Sequence, residues 1–279
     1  MYGYIDLNDQ VVGAFILISL FGIPHGAIDN IIFLSKNNMS SLLFYILYIF
    51  SILTYCLSWF IFPLFSLIFF LLLSAYHFGE SQMSDYTYFN ISKNVIYSVW
   101  GTFIISSLVY YNIDELLILS KQSSDMIQFE KIFNVILFKY IFYCSNFILF
   151  IILIYESVKH SISFEQLLNE MFQILLIHIT FILFPIVISF TLYFIFLHSL
   201  KVLKQEYDYL FATMSNLTLF RFIKLLIPHT SISIFSLIIF LIIIEAGYLD
   251  VSLFLFSIIG ISVITLPHAI IMSNFYHKK

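Results

Sequence analysis

Nine stretches of almost unbroken hydrocarbon side chain, at about 11–34, 41–62, 64–78, 94–111, 132–155, 167–183, 185–200, 222–247 and 251–275, leave this chain few ways to fold in water. A soluble domain carries about 25% charged residues. Here only 10% are charged, 61% are hydrophobic and the mean hydropathy is +1.01. Too little charge is present to coat a soluble surface. Runs of about 20 apolar residues match a membrane-crossing helix, whereas a transmembrane barrel would alternate over segments of about ten. The sequence therefore predicts an all-α, polytopic transmembrane helical bundle of about eight to nine spans. Residues 1–279 are expected to form a single integral membrane domain, in contact with lipid and multi-pass in the cell membrane.

The span count turns on 167–200, which has Pro185 near its middle and reads either as one kinked helix or as two short spans. Loop charge favours two. With nine spans and the N-terminus outside, Lys36, Lys93, Lys159, Lys201, Lys204, Arg221, Lys278 and Lys279 all fall inside. The main outer loop, 112–131, holds Lys121 and Lys131 but also Asp114, Glu115, Asp125 and Glu130. Eight spans would put the basic cluster at 201–224 outside.

Net charge is −4 with no basic block, so no nucleic-acid partner is expected. Cys56 and Cys144 lie inside apolar runs without metal-type spacing and read as small core residues. The N-terminus lacks the basic stretch of a signal peptide, so the first apolar run is expected to remain as a span.

Among the eight histidines, His25, His77, His198 and His268 are candidates that sit inside these apolar runs. An imidazole in a span gives up hydration and must find a hydrogen-bond partner, water or a metal. In the nine-span arrangement all four lie late in spans that run from outside to inside, so they share the cytoplasmic half of the bilayer and can converge. Three of the five prolines directly precede a histidine: Pro24-His25, Pro228-His229 and Pro267-His268. A proline opens a helix locally and frees the next ring to be aimed into the bundle. The bland alternatives are plain kinks and polar helix contacts.

Asp29 follows His25 by four residues and can hold the His25 ring or serve a neighbouring ligand, because metal-bound imidazoles usually donate their other N–H to a carboxylate or carbonyl. Glu80, three residues after His77, reads either as a similar support or as an exposed group at the span's end. His198 stands beside Lys201 and Lys204, whereas His268 has no charged neighbour. His178 and His229 are weaker candidates, and His160 and His277 read as surface residues. All-nitrogen ligation suits zinc, copper, iron and nickel alike. Intramembrane histidines also serve metal or proton transporters, but those usually show repeated halves, and none is visible here.

In order and spacing, Pro24-His25-Gly26-Ala27-Ile28-Asp29, His77-Phe78-Gly79-Glu80, His198-Ser199 and Leu266-Pro267-His268 resemble the motifs of the Brp/Blh family of membrane-bound bacterial and archaeal β-carotene 15,15′-dioxygenases. The family pattern reads approximately P-H-G-A-L-D, H-F-G-x-A-D, H-S-x-R-H and P-H. The resemblance implies a non-haem Fe(II) enzyme that uses dioxygen to cleave β-carotene at its central double bond. The product would be two molecules of all-trans-retinal, supplied to a microbial rhodopsin. It also implies that His25, His77 and His198 hold the iron.

With His268 added, the expected catalytic and metal-binding set is His25, His77, His198 and His268, with Asp29 and Glu80 behind them. The chain departs from the pattern at Lys201, Gln82 and above all Val202, where the family places a second histidine four residues after the first. Either His268 completes a four-histidine set, or the metal keeps three protein ligands, or the site no longer works. The alternatives that follow are a non-catalytic carotenoid- or retinal-binding homologue, an enzyme cutting another carotenoid or another bond, and a transporter.

Overall fold

A computed structural model describes residues 6–122, 124–214, 216–249 and 251–277. The first five residues, together with Lys278 and Lys279 of the expected inner tail, lie outside the described residues. α1 (Leu7–Leu17) leads through a π-helical turn (Ile18–Gly22) and a 3-10 turn (Ile23–Gly26) into α2 (Asp29–Lys36). There follow α3 (Ser41–Ile61), α4 (Pro63–Met83), α5 (Lys93–Tyr111), α6 (Ile113–Gln122), α7 (Val135–Val158), α8 (Phe164–Leu183) and α9 (Ile186–Tyr193). A second π-helical segment (Phe194–Ser199) joins α9 to α10 (Leu200–Thr213), and α11 (Leu219–Glu245) and α12 (Leu253–His277) complete the order. No strand occurs among the described residues, and the fold is the expected all-α polytopic bundle.

Helix starts are set by small polar side chains that satisfy free backbone N–H groups. Ser40 accepts from Leu43, Asn134 from Leu137 and Thr218 from Arg221, and Ser163 and Gln166 form a reciprocal capping box. Eight helices among the described residues are long and apolar enough to cross a membrane, or nine if α5 and α6, bent by 67° at Asn112, count as one span. The stretch 167–200 is two helices. Pro185 forces the preceding Phe184 out of the helical region, to φ −119° and ψ 150°, and α8 stops there.

The helix after Pro185 does not stop near residue 200. It continues to Thr213, so Lys201 and Lys204 are helical residues rather than loop residues. Hydropathy falls beyond Leu200, but α10 still buries Val202, Gln205, Glu206 and Leu210 on one face, and that face sustains the helix. The cysteines also differ from expectation: both are free, Cys56 is half-buried, and Cys144 is exposed on α7 rather than packed in a core.

The chain forms two compact units, one from Leu64 to Tyr193 and the other from the segments before Leu64 and after Tyr193. In the Leu64–Tyr193 unit, α5 is the central helix and packs against α7, α8 and α9. It buries Trp100, Phe103, Ile104 and Val109, and the hydroxyls of Ser106 and Ser145 meet at 2.9 Å between α5 and α7. α4 crosses α5 backbone to backbone. A side chain on Gly79 would strike the Tyr97 carbonyl, and one on Gly101 the Ala75 carbonyl.

In the other unit α12 is central, packed on α1, α2 and α3, and the Trp59 indole donates to Ser262 at 2.9 Å. α3 shows how the units face lipid. Phe44, Tyr55 and Trp59 are buried, whereas Leu42, Ile46, Phe50, Leu53, Leu57 and Phe60 make an exposed apolar stripe at helical spacing.

Candidate metal centre

Two of the three histidines of the second unit's cluster sit where a regular helix is interrupted. His25 lies in the 3-10 turn that follows the first π-helical turn, directly after Pro24, and its Nδ1–H donates to the Gly22 carbonyl. His198 lies in the second π-helical segment. Such segments carry an extra residue per turn and re-aim side chains that a straight α-helix would point elsewhere. His268 follows Pro267 inside α12.

Three rings from distant parts of the chain come together here. The His25 ring centroid stands 4.6 Å from that of His268 and 5.1 Å from that of His198, both edge to face. Phe194 packs beside them, 5.6 Å from His25 and stacked 5.4 Å from His198. Its approach requires Gly22, where a Cβ would lie 2.7 Å from the Phe194 ring. All three histidines are buried, at 6%, 1% and 3% exposure for His25, His198 and His268.

Asp29, 2% exposed, bonds through Oδ1 to Nδ1 of His268 at 2.9 Å. Of the two roles the sequence left open for it, the structure shows contact with the neighbouring ring rather than with His25. Its other oxygen, Oδ2, accepts a hydrogen bond from the Tyr48 hydroxyl at 3.3 Å. Nothing in the sequence spacing pointed to Tyr48, which reaches the carboxylate only because α3 packs on α2. Gly26 admits the His268 ring, since a Cβ there would lie 3.2 Å from its Nδ1.

The donor set fits a metal ion. With Nδ1–H donated to a carbonyl in His25 and to a carboxylate in His268, each neutral ring carries its lone pair on Nε2, as a ligating histidine does. His25, His77 and His268 are buried residues of the type that could hold a metal ion.

Val202, at the position of the missing histidine, is fully buried in an apolar cluster with Ala27, Ile28, Ile32, Met272 and Phe275. One turn further along α10, Glu206 is also fully buried, and neither carboxyl oxygen has a hydrogen-bond partner among the described residues.

In the Leu64–Tyr193 unit, His77 and Glu80 are both buried in α4, next to the close crossing at Gly79. An exposed Glu80 is thereby excluded. Gln82, where the family pattern has an aspartate, donates to both oxygens of the buried Glu170, which also accepts from the Tyr86 hydroxyl at 2.7 Å. Burial pushes the Tyr86 phenol well above its ordinary range, and the Glu170 carboxylate adds to the shift.

The weaker candidates have separate partners. His178 pairs with Asn146 at 3.0 Å, and His229 with the Tyr45 hydroxyl at 3.1 Å. His160 and His277 are exposed.

No curated protein and no solved structure matches this chain. The family model described as Beta-carotene 15,15'-dioxygenase matches residues 16–276, which include His25, His77, His198, His268, Asp29 and Glu80. The chain belongs to the beta-carotene 15,15'-dioxygenase family.

Proposed function

We propose that this protein uses Fe(II) and dioxygen to cleave β-carotene at its central 15,15′ double bond, in the cell membrane, giving two molecules of all-trans-retinal. The observation that carries the reading is the coincidence of the family match with three buried imidazoles packed ring to ring beside a carboxylate. The proposed ligands are His25, His77, His198 and His268. The place of His77 in the set rests on its sequence motif. Chemically, the C15=C15′ bond breaks and each carbon takes one oxygen atom of the same dioxygen, so β-carotene and dioxygen balance two retinals with no other reactant. Bound iron supplies the activation of dioxygen.

The residues of the chain supply position. Gly22 and Asp29 hold His25 and His268 by their Nδ1 atoms and leave Nε2 as the donor. Phe194 packs an apolar ring against His25 and His198. Asp29 and Glu80 stand behind the ligands as orienting carboxylates. The retinal product is a hydrophobic aldehyde suited to direct transfer to a rhodopsin in the same membrane. A second reading follows from Val202, whose burial in an apolar cluster leaves no donor at that position: a homologue that binds carotenoid without cutting it.

Purified protein loaded anaerobically with Fe(II) and then given β-carotene and ¹⁸O-labelled dioxygen should yield retinal alone, each molecule carrying one label. Alanine at position 25, 77, 198 or 268 should lower the bound iron and abolish the product. Pigment that stays bound and uncut by an iron-loaded protein would establish the second reading. A protein that takes up no iron would end the enzyme reading.

A further inference from the structure

Asp29 is anchored at both ends. Its Oδ1 bonds to the His268 ring at 2.9 Å, and Oδ2 accepts from Tyr48 on α3 at 3.3 Å. A carboxylate at 2% exposure has little water to hold it, so protein donors must fix its plane. The His268 bond alone leaves the carboxylate free to swing about that contact. The second bond, from a different helix, removes this freedom and with it the swing of the imidazole. One turn earlier on α3, Tyr45 accepts from the Asn30 side chain at 2.9 Å and pairs with His229, but has no bond to Asp29. Two tyrosines on one helix therefore bind consecutive residues at the start of α2, and only one of them connects to the histidine cluster.

We infer that Tyr48 is a positioning residue of the metal centre, acting through Asp29 to hold the His268 ring for ligation. The inference rests on the metal-centre reading above. Partners behind a metal ligand typically contribute about 10- to 100-fold to metal affinity, and Tyr48 stands one bond further out.

The test is the affinity for Fe(II), measured anaerobically on the full chain in detergent by competition with a chromophoric chelator. Asp29→Asn should weaken binding by about 10- to 100-fold and Tyr48→Phe by up to about tenfold. In the double variant, Tyr48→Phe should add nothing to Asp29→Asn, because its effect passes through that carboxylate. Tyr45→Phe loses a hydroxyl from the same helix and should leave affinity unchanged. The inference is overturned if Tyr48→Phe binds as the wild type does, if its effect persists undiminished in the Asp29→Asn background, or if Tyr45→Phe matches it. Wild-type protein that binds no Fe(II) overturns the metal reading and this inference together. Wild-type binding with an unaffected Tyr48→Phe variant overturns the inference alone.

Discussion

A methyl group on Gly26 would lie 3.2 Å from Nδ1 of His268 and 3.8 Å from Oδ2 of Asp29. The first distance is too short for comfortable contact, and the neighbour that must give way is a ring already held by a hydrogen bond. Gly26→Ala should therefore leave the bundle folded but tilt His268, lowering bound iron by about tenfold, the scale of a lost supporting partner. Iron per protein and the thermal midpoint, measured on one preparation, check this; normal iron content would show that the ring is not so tightly placed.

The sequence made this neighbourhood legible in part. The Pro-His-Gly order and the nearby aspartate mark a site, and spacing of four offered His25 as one of two partners for Asp29, the other being a neighbouring ligand. Pairing with His25 assumes a continuous α-helix. Pro24 and the 3-10 turn break it, and α2 begins only at Asp29, so the carboxylate turns to a ring 239 residues away. Tyr48 carried no local signal at all, because its role arises from helix packing.

Among elements, the crossing of α4 and α5 has the least tolerance. A Cβ on Gly101 would fall 1.4 Å from the backbone oxygen of Ala75, and one on Gly79 would fall 1.8 Å from that of Tyr97. Backbone cannot rotate aside as a side chain can, so the helices would have to separate, unpacking Trp100 and Phe103 from the interior of their unit. Gly101→Ala should cost about 3 kcal/mol, the upper end of overpacking penalties, read as a lowered unfolding midpoint in detergent. A midpoint equal to that of the wild type would mean that the two helices do not touch there.

Hydropathy located nearly every helix, because each must present hydrocarbon to lipid. It misjudged ends where one face alone stays buried, as in α10. It also gave no hint of the π-helical segments, whose extra residue changes the direction of His25 and His198 without altering composition.

Across the whole molecule, the path through the membrane depends on α5 and α6. α5 is less apolar than the other long helices because it faces protein: Trp100, Ser106, Ser107 and Tyr97 are buried in its unit rather than turned to lipid. If the bent pair crosses, the chain makes nine passes. With the N-terminus outside, Ser124 and Tyr248 then lie outside, whereas His160 and Met214 lie inside with the basic residues Lys159, Lys204 and Arg221. If the pair does not cross, every later segment is inverted: Ser124 and Tyr248 move inside, and His160 and Met214 move outside with those same cations. That second arrangement opposes the tendency of Lys and Arg to stay on the cytoplasmic side, so nine passes is the expected outcome.

All four positions are exposed in the structure. Single cysteines placed there, in a chain carrying Cys56→Ser and Cys144→Ser, can be probed in intact cells with a membrane-impermeant thiol reagent. Ser124→Cys and Tyr248→Cys should react at once, and His160→Cys and Met214→Cys only after the membrane is opened. Reversal of all four would remove α5–α6 as a crossing or invert the N-terminus. Reversal at Ser124 and His160 alone would place the error between α4 and α8.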